Sequence, residues 1–317
     1  MIRDWRTANN EFMAIKIKTY NNISWVNIVE PTAEDLQYLK SNYKFHPLDF
    51  KDVTGESQRS KIDIYPSYAF IILRFPITYK DSHLIGSHEL DIFLGKDYLV
   101  IVQKKKLKAL DQYFYKVANH HKLQQEVFSS KAALVLYYIL KELYGSTLSL
   151  VDWLLKDINE AEIEVYEEQT KKAVRVLASL RRNLLTFKSI VDPERLVIKT
   201  LAHLDKEYCG QELANYFDDI LDDIEKIYNI LLNGKEIIDG LHETNETLTS
   251  YRLNRVMRIL TIFSVSLLPL TLFTGLYGMN VSSLPLIHDE RLIWYIFGVL
   301  AVVIGGIFVW LKKKDII

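Results

Sequence analysis

Cysteine is nearly missing from this sequence: Cys209 is the one example among 317 residues. A single thiol excludes a disulfide framework within the chain and fits a reducing compartment. An excess of charge of one sign is missing too. Lys and Arg number 39 against 40 Asp and Glu, a net charge of −1, so nothing argues for a nucleic-acid surface and no nucleic-acid partner is expected. Catalytic signatures are absent as well: no Gly-rich phosphate loop, no HExxH, no nucleophile elbow and no paired cysteines. The 8 histidines are scattered, and His120 and His121, being adjacent, do not face one ligand on a helix. The chain is therefore not read as an enzyme. The N-terminal MIRDWRTANNEFMAIKIK has no continuous apolar segment, which predicts no signal peptide.

Charge is also absent from two long stretches near the C-terminus. From Ile259 to Asn280 there is no Asp, Glu, Lys or Arg, and the same holds from Leu292 to Leu311. About 20 such residues in a helix cross roughly 30 Å of hydrocarbon. Basic residues flank the pair: Arg252, Arg255 and Arg258 precede the first run, and Lys312, Lys313 and Lys314 follow the second. The loop between, Val281 to Arg291, has one. Lys and Arg favour the cytoplasmic side, which predicts a two-span hairpin in the cytoplasmic (inner) membrane with both termini inside.

Ahead of the hairpin, residues 12–104 read as α/β. Two alternating runs meet at Asn21-Asn22, a hairpin signal. Thr32 is a candidate N-cap for a short helix to about Tyr43, and another short helix begins near Pro47. Runs at Lys61–Tyr65, Tyr68–Thr78, Leu90–Leu94 and Tyr98–Gln103 are rich in β-branched and aromatic residues, which predicts a mixed sheet flanked by helices. From Lys105 the pattern turns helical, with segments at Leu107–Ala118, Ser129 to about Glu168, and about Lys171 to Leu204. Pro193 is expected to kink or end the last of these. The acids Asp157, Glu160, Glu162, Glu164, Glu167 and Glu168 make either a solvated helix tip or a field that concentrates cations.

From about residue 212, Leu213, Phe217, Ile220, Leu221, Ile224, Ile227, Tyr228, Leu231 and Leu232 recur at helical spacing. No proline lies between Pro193 and Pro269. One helix of roughly 100 Å is therefore predicted to run from there through the first apolar stretch. Such a helix needs partners along its length, which argues for an oligomer.

Steps of about 3.5 residues place Asn254, Thr261, Ser264, Thr271, Gly275 and Gly278 near one face of the apolar stretch. A small and polar seam in lipid is either a helix–helix contact or the lining of a pore. Carbonyls at a helix C-terminus carry partial negative charge; Gly278 leaves them uncovered, and Asn280 adds an amide oxygen. Copies of this ending around an axis would make a ring of neutral oxygens. Such a ring suits a cation that sheds water as reluctantly as Mg²⁺.

The segments Asn254-Arg255-Val256-Met257-Arg258-Ile259-Leu260-Thr261, Leu268-Pro269-Leu270-Thr271 and Tyr277-Gly278-Met279-Asn280, with the second span and the Lys-rich end, resemble the CorA family of magnesium transporters. The resemblance is specific over about 245–317 and extends to the whole architecture. It implies a homopentameric funnel: an α+β cytoplasmic domain, a long helical stalk and an all-α membrane domain of two transmembrane helices. The corresponding segments are 1–127 and 128–256 inside, spans 257–280 and 292–312, an outer loop 281–291 and a basic tail 313–317. By motif position it implies a selectivity filter of Gly278, Met279 and Asn280, and a pore lined by Asn254, Met257, Leu260, Ser264, Leu268 and Thr271. Here the resemblance prefers Leu260 where the periodicity chose Thr261. The outer loop departs from the family's Met-Pro-Glu-Leu, reading Leu284-Pro285-Leu286-Ile287.

The resemblance also implies Mg²⁺ as transported and regulatory ion, with Co²⁺ and Ni²⁺ as further substrates and no organic cofactor. Partners would be further copies of the chain, the lipid bilayer and divalent cations. Asp219, in Tyr216-Phe217-Asp218-Asp219, matches the family's sensor segment. Glu243 falls at a second site on the same helix, and Asp81 is assigned as the partner from the α/β domain. Two alternatives stay open on sequence: a zinc transporter of the related ZntB group, and a membrane-anchored sensor or scaffold that transports nothing.

Overall fold

The computed structural model describes residues 15–55, 59–79, 83–167, 171–203, 214–279 and 290–313. It divides into two compact units, Met1–Leu241 and His242–Ile317.

The first unit is built on a six-stranded sheet. Strands β1 (Ile15–Tyr20) and β2 (Ile23–Val29) form the expected hairpin. Asn21 and Asn22 turn it with φ of 48° and 63°, the left-handed pair that a two-residue type I′ turn requires and that Asn tolerates. Then come β3 (Lys61–Ile64), β4 (Tyr68–Tyr79), β5 (Leu84–Gly95) and β6 (Tyr98–Gln103), in spatial order β1-β2-β6-β5-β4-β3. The β2–β6 pair is parallel and the others antiparallel, so the sheet is mixed. β5 begins at Leu84, six residues before the run legible in sequence, because Gly86, Ser87 and His88 are poor strand formers held by a ladder to β4. At Gly86 a Cβ would lie 2.5 Å from the Tyr79 ring, so that ring lies over the space glycine leaves.

Alternation sends side chains to two faces. Val26, Ile28, Phe70, Ile72, Phe93, Val100 and Val102 share a core with Leu39, Phe50 and Val53. Leu39 comes from α1 (Ala33–Asn42) and the other two from α2 (Pro47–Thr54). Phe45, between those helices, stacks on Phe93 at 4.0 Å between centroids. Thr32 caps α1 as expected: its hydroxyl accepts from the Asp35 amide, and the Asp35 carboxylate accepts from the Thr32 amide at 2.8 Å. The opposite face carries Trp25, Ile71, Leu73, Ile92, Leu94, Leu99 and Ile101. It joins a larger core with α3 (Lys108–Asn119), α4 (His121–Val127), α5 (Ala132–Glu167), α6 (Lys171–Ala202) and the start of α7 (Ala214–Tyr277).

α5 is apolar and long enough to cross a membrane, yet half of its most apolar window is buried inside the unit. Leu136, Ile139, Leu140, Leu143 and Tyr144 are core residues there. The corresponding window of α7 is exposed almost throughout.

Pro193 neither ends nor breaks α6, which runs through it. The lost hydrogen bond costs about 3 kcal/mol in a helix interior, and burial on both sides offsets it: Ile190, Val191, Val197 and Ile198 are core residues. Glu194 adds a clamp. It is fully buried, accepts from the Arg74 amide at 2.8 Å and from Tyr144 Oη at 3.0 Å, and so joins α6 to β4 and α5.

Burial pushes the Glu194 carboxyl up to about 8, against the opposing effect of those two donors. Asp91, buried in β5, is raised as well, chiefly by burial. A carboxyl with a raised folded pKa keeps its proton where the unfolded chain has lost it, so stability falls as pH rises from the unfolded value toward the folded one. Between pH 5 and 8 the melting temperature of the protein should therefore decline. In Glu194→Gln, which holds the neutral form, the decline should be shallower, as read by thermal unfolding across that range.

Candidate functional site

α7 is 64 residues long, about 96 Å at 1.5 Å per residue. In the first unit it buries Phe217, Ile220, Ile224, Ile227 and Leu231 of the expected stripe, half-buries Leu221, Tyr228 and Leu232, and buries Ile238 and Leu241 beyond it. Gly234 does not interrupt it. A Cβ there would lie 3.2 Å from Leu184 Cδ2 and 3.4 Å from Ile158 Cδ1, so glycine lets side chains of α6 and α5 approach closely.

The second unit pairs the rest of α7 with α8 (Glu290–Lys313). Along the α7 apolar stretch only Ile262, Ser266, Leu270, Phe273 and Tyr277 are buried or half-buried. Phe273 meets Phe297 of α8 edge-on at 6.0 Å. Asn254, Met257, Leu260, Ser264, Leu268 and Thr271 are all exposed: Leu268 is 62% exposed where Ser266 is 9%. At 3.6 residues per turn the two sets are centred roughly 170° apart, on opposite sides of one helix. Leu260 and Thr261 fall to either side of the midline of the exposed set.

The three threonine hydroxyls on this stretch are satisfied within the helix. Thr261 Oγ1 donates to Met257 O at 2.8 Å, Thr271 Oγ1 to Leu267 O at 3.0 Å and Thr274 Oγ1 to Leu270 O at 2.9 Å. Each keeps lone pairs for a further donor. Pro269 lies within the helix, which continues through it. At the end, Gly278 N donates to Thr274 O at 2.9 Å and Met279 N to Leu276 O at 3.3 Å. A Cβ on Gly278 would stand 2.9 Å from Thr274 O, so only glycine closes this turn without displacing that carbonyl. Met279 is exposed, and Asn280 lies outside the described residues.

Asp219 projects from α7 toward α5. Lys141 Nζ lies 2.8 Å from Asp219 Oδ2 and 2.8 Å from Asp223 Oδ2. Tyr137 Oη donates to Asp219 Oδ2 at 3.0 Å. The Lys141 hydrogen bond, aided by Tyr137 and opposed by burial, holds the Asp219 carboxyl below its ordinary value. Burial and the bond to Asp219 push Tyr137 up to about 12. Nothing in the sequence near Asp219 announces Lys141 or Tyr137; the one local signal is a lysine closing the apolar run Ala132–Leu140. Asp218, Asp222 and Glu243 are exposed, and Asp81 lies outside the described residues. No group of three His, Cys, Asp or Glu side chains converges on one point among the described residues. In the acidic end of α5, Glu164 pairs with Lys172 at 2.8 Å and Glu160 with Lys156 at 3.8 Å, so lysines offset part of that field.

The family model for CorA-like Mg²⁺ transporter protein matches residues 20–313. The cobalt/magnesium transport protein CorA of Thermotoga maritima is 26% identical over 317 residues, covering 98% of this chain and 88% of that protein. The solved complete structure of the CorA magnesium transporter from Methanocaldococcus jannaschii is similar with a TM-score of 0.80 at 21% identity, over 92% of this chain and 90% of that one. The ZntB cytoplasmic domain from Vibrio parahaemolyticus is similar with a TM-score of 0.59 at 14% identity, over 72% and 88%. The two structural likenesses are of fold.

The two faces of α7 should respond differently to added bulk. Ser266→Leu overpacks the face turned to α8, a change that typically costs about 1–3 kcal/mol. Thermal unfolding of the purified protein in detergent should show a loss for Ser266→Leu and a smaller one for Ser264→Leu.

Proposed function

The chain belongs to the family of CorA-like Mg²⁺ transporter proteins, and from that premise we propose a channel that admits Mg²⁺ and closes when internal Mg²⁺ is high. Transport of divalent metal cations across a membrane comes with the family. The finer reading rests on one observation: the face of α7 opposite α8 carries Asn254, Ser264 and Thr271 among Met257, Leu260 and Leu268, and it is exposed in the single chain. In lipid the lone pairs of Ser264 and Thr271 on this face would lack donors, which further copies of the chain or water would supply. A homopentamer with α7 innermost, as the family resemblance implies, supplies both.

In that assembly the ion meets the Gly278–Asn280 ending first. Backbone carbonyls and the Asn280 amide oxygen are neutral acceptors. They bind the waters of a hydrated ion without the tight grip of carboxylates, which suits passage of an ion slow to dehydrate. Hydroxyls of Thr271 and Ser264 offer further acceptors along the way. Met257, Leu260 and Leu268 form apolar constrictions that close by dewetting when the ring narrows. A potential of 100 mV, negative inside, drives each divalent ion inward by about 4.6 kcal/mol, at about 2.3 kcal/mol per charge. The basic flanks set both termini inside the cytoplasmic membrane.

Regulation is assigned to Asp219 and Glu243 on α7 and to Asp81. Carboxylate oxygens are the hard donors that Mg²⁺ prefers, and six ligands are needed. One chain brings no such set together among its described residues, so a neighbouring copy and water would complete each site. A bound divalent ion supplies the positive charge that lets acidic surfaces of adjacent copies approach.

The deciding experiment is Mg²⁺ entry into liposomes loaded with a Mg²⁺-sensitive dye, with low internal Mg²⁺ and a negative-inside potential. Wild type should admit Mg²⁺, and Asn280→Ala, equally assembled, should admit at least tenfold less. Absence of entry by wild type would refute the channel. Entry of Zn²⁺ with exclusion of Mg²⁺ would establish the zinc alternative. At internal Mg²⁺ that shuts wild type, Asp219→Asn should still conduct.

A further inference from the structure

Resting on the reading of Asp219 as a regulatory ligand, we infer that the Lys141 ammonium is a tethered competitor for the divalent ion and sets the Mg²⁺ concentration at which closure occurs. Its Nζ stands 2.8 Å from each of two carboxylates, Asp219 and Asp223, one turn apart on α7. A cation bridging two carboxylate oxygens is the contact a divalent ion would make there, with one charge in place of two. Tyr137 Oη donates to the same Asp219 oxygen, so Oδ2 already has two donors. An ion approaching Oδ2 must displace the ammonium, and one approaching Oδ1 meets its repulsion. Either way, positive charge at residue 141 weakens divalent binding.

The pair is poised to yield. The Lys141 side chain is 41% exposed and that of Asp219 48%. A partly solvated pair is worth no more than about a fivefold change in an equilibrium, and a lysine head on a flexible stem swings into water easily. A different ion pair on α7 shows what a fixed tie looks like. Arg195 of α6 holds Glu225 through Nε at 2.8 Å and Nη2 at 2.7 Å, with its guanidinium 4.2 Å from the centre of the Tyr228 ring. Lys141 has no such flat fork. Nor does α7 depend on Lys141 for its place, since Phe217, Ile220 and Ile224 are buried in the common core.

The test measures how much MgCl₂, at constant ionic strength, protects the full-length protein in detergent from limited proteolysis. Compared are wild type, Lys141→Met, Lys141→Gln, Lys141→Arg and Asp219→Asn, each checked for assembly by size exclusion. Both neutral variants should lower the protecting Mg²⁺ concentration roughly three- to fivefold, and Lys141→Arg should stay within about twofold of wild type. The two neutral variants guard against one of them failing to fold. A purely structural tie gives the opposite sign: loosening α5 from α7 would leave the midpoint unchanged or raise it. That result, with protection abolished in Asp219→Asn, overturns the competitor and leaves the sensor standing. Protection by Mg²⁺ that is unaltered in Asp219→Asn overturns the sensor reading and the competitor with it.

Discussion

A backbone that leaves water has to carry its hydrogen bonds with it, because hydrocarbon offers none. α7 meets that demand by staying one helix from Ala214 to Tyr277. Its membrane part extends the constraint to side chains. Thr261, Thr271 and Thr274 return their hydroxyl protons to carbonyls of their own helix. What the single chain does not cover is a whole face, the one turned away from α8. The same geometry that packs Ser266 and Phe273 inward leaves Ser264, Leu268 and Thr271 outward. From this uncovered face the proposal of a pore of several copies follows.

Electrostatics works on the other half of the helix in a weaker but adjustable way. Asp219, Asp222 and Asp223 put several negative charges within two turns, and Lys141 partly neutralises them from α5. Exposed pairs of this kind contribute little to stability, on the order of 0–1 kcal/mol. For the regulatory site proposed at Asp219 that weakness would be useful. An ion must be able to win the carboxylate at one concentration and lose it at another, and a deep, fully desolvated pair would not permit both.

The body that presents Lys141 is rigid by comparison. Its sheet is covered on both faces, by α1 and α2 on one side and the longer helices on the other. Buried polar groups within it are tied across elements: Glu194 links α6 to β4 and α5, and Asn183 accepts from Ile85 N at 3.0 Å and donates to His83 O at 2.9 Å. Such networks cost more to break than surface pairs because each lost partner leaves a buried group unsatisfied.

Local chemistry was legible in the amino-acid sequence. Asn21-Asn22 specified a tight hairpin and Thr32 a cap, each a matter of a few adjacent residues, and the apolar spacing from Phe217 onward, with no proline before Pro269, a single long helix. The uncharged runs and their basic flanks marked the membrane hairpin, since burial in lipid is a property of length and composition. Tertiary structure decided the rest. Pro193 reads as a helix breaker until packing on both sides of it is known. Leu84–Glu89 joins β5 only because β4 lies beside it. The apolar α5 is a core helix because a sheet covers it. Which side of α7 faces α8, and that Lys141 meets Asp219, depend on contacts between segments far apart in the chain. No local pattern encodes such contacts, because their energy exists only once the chain has folded.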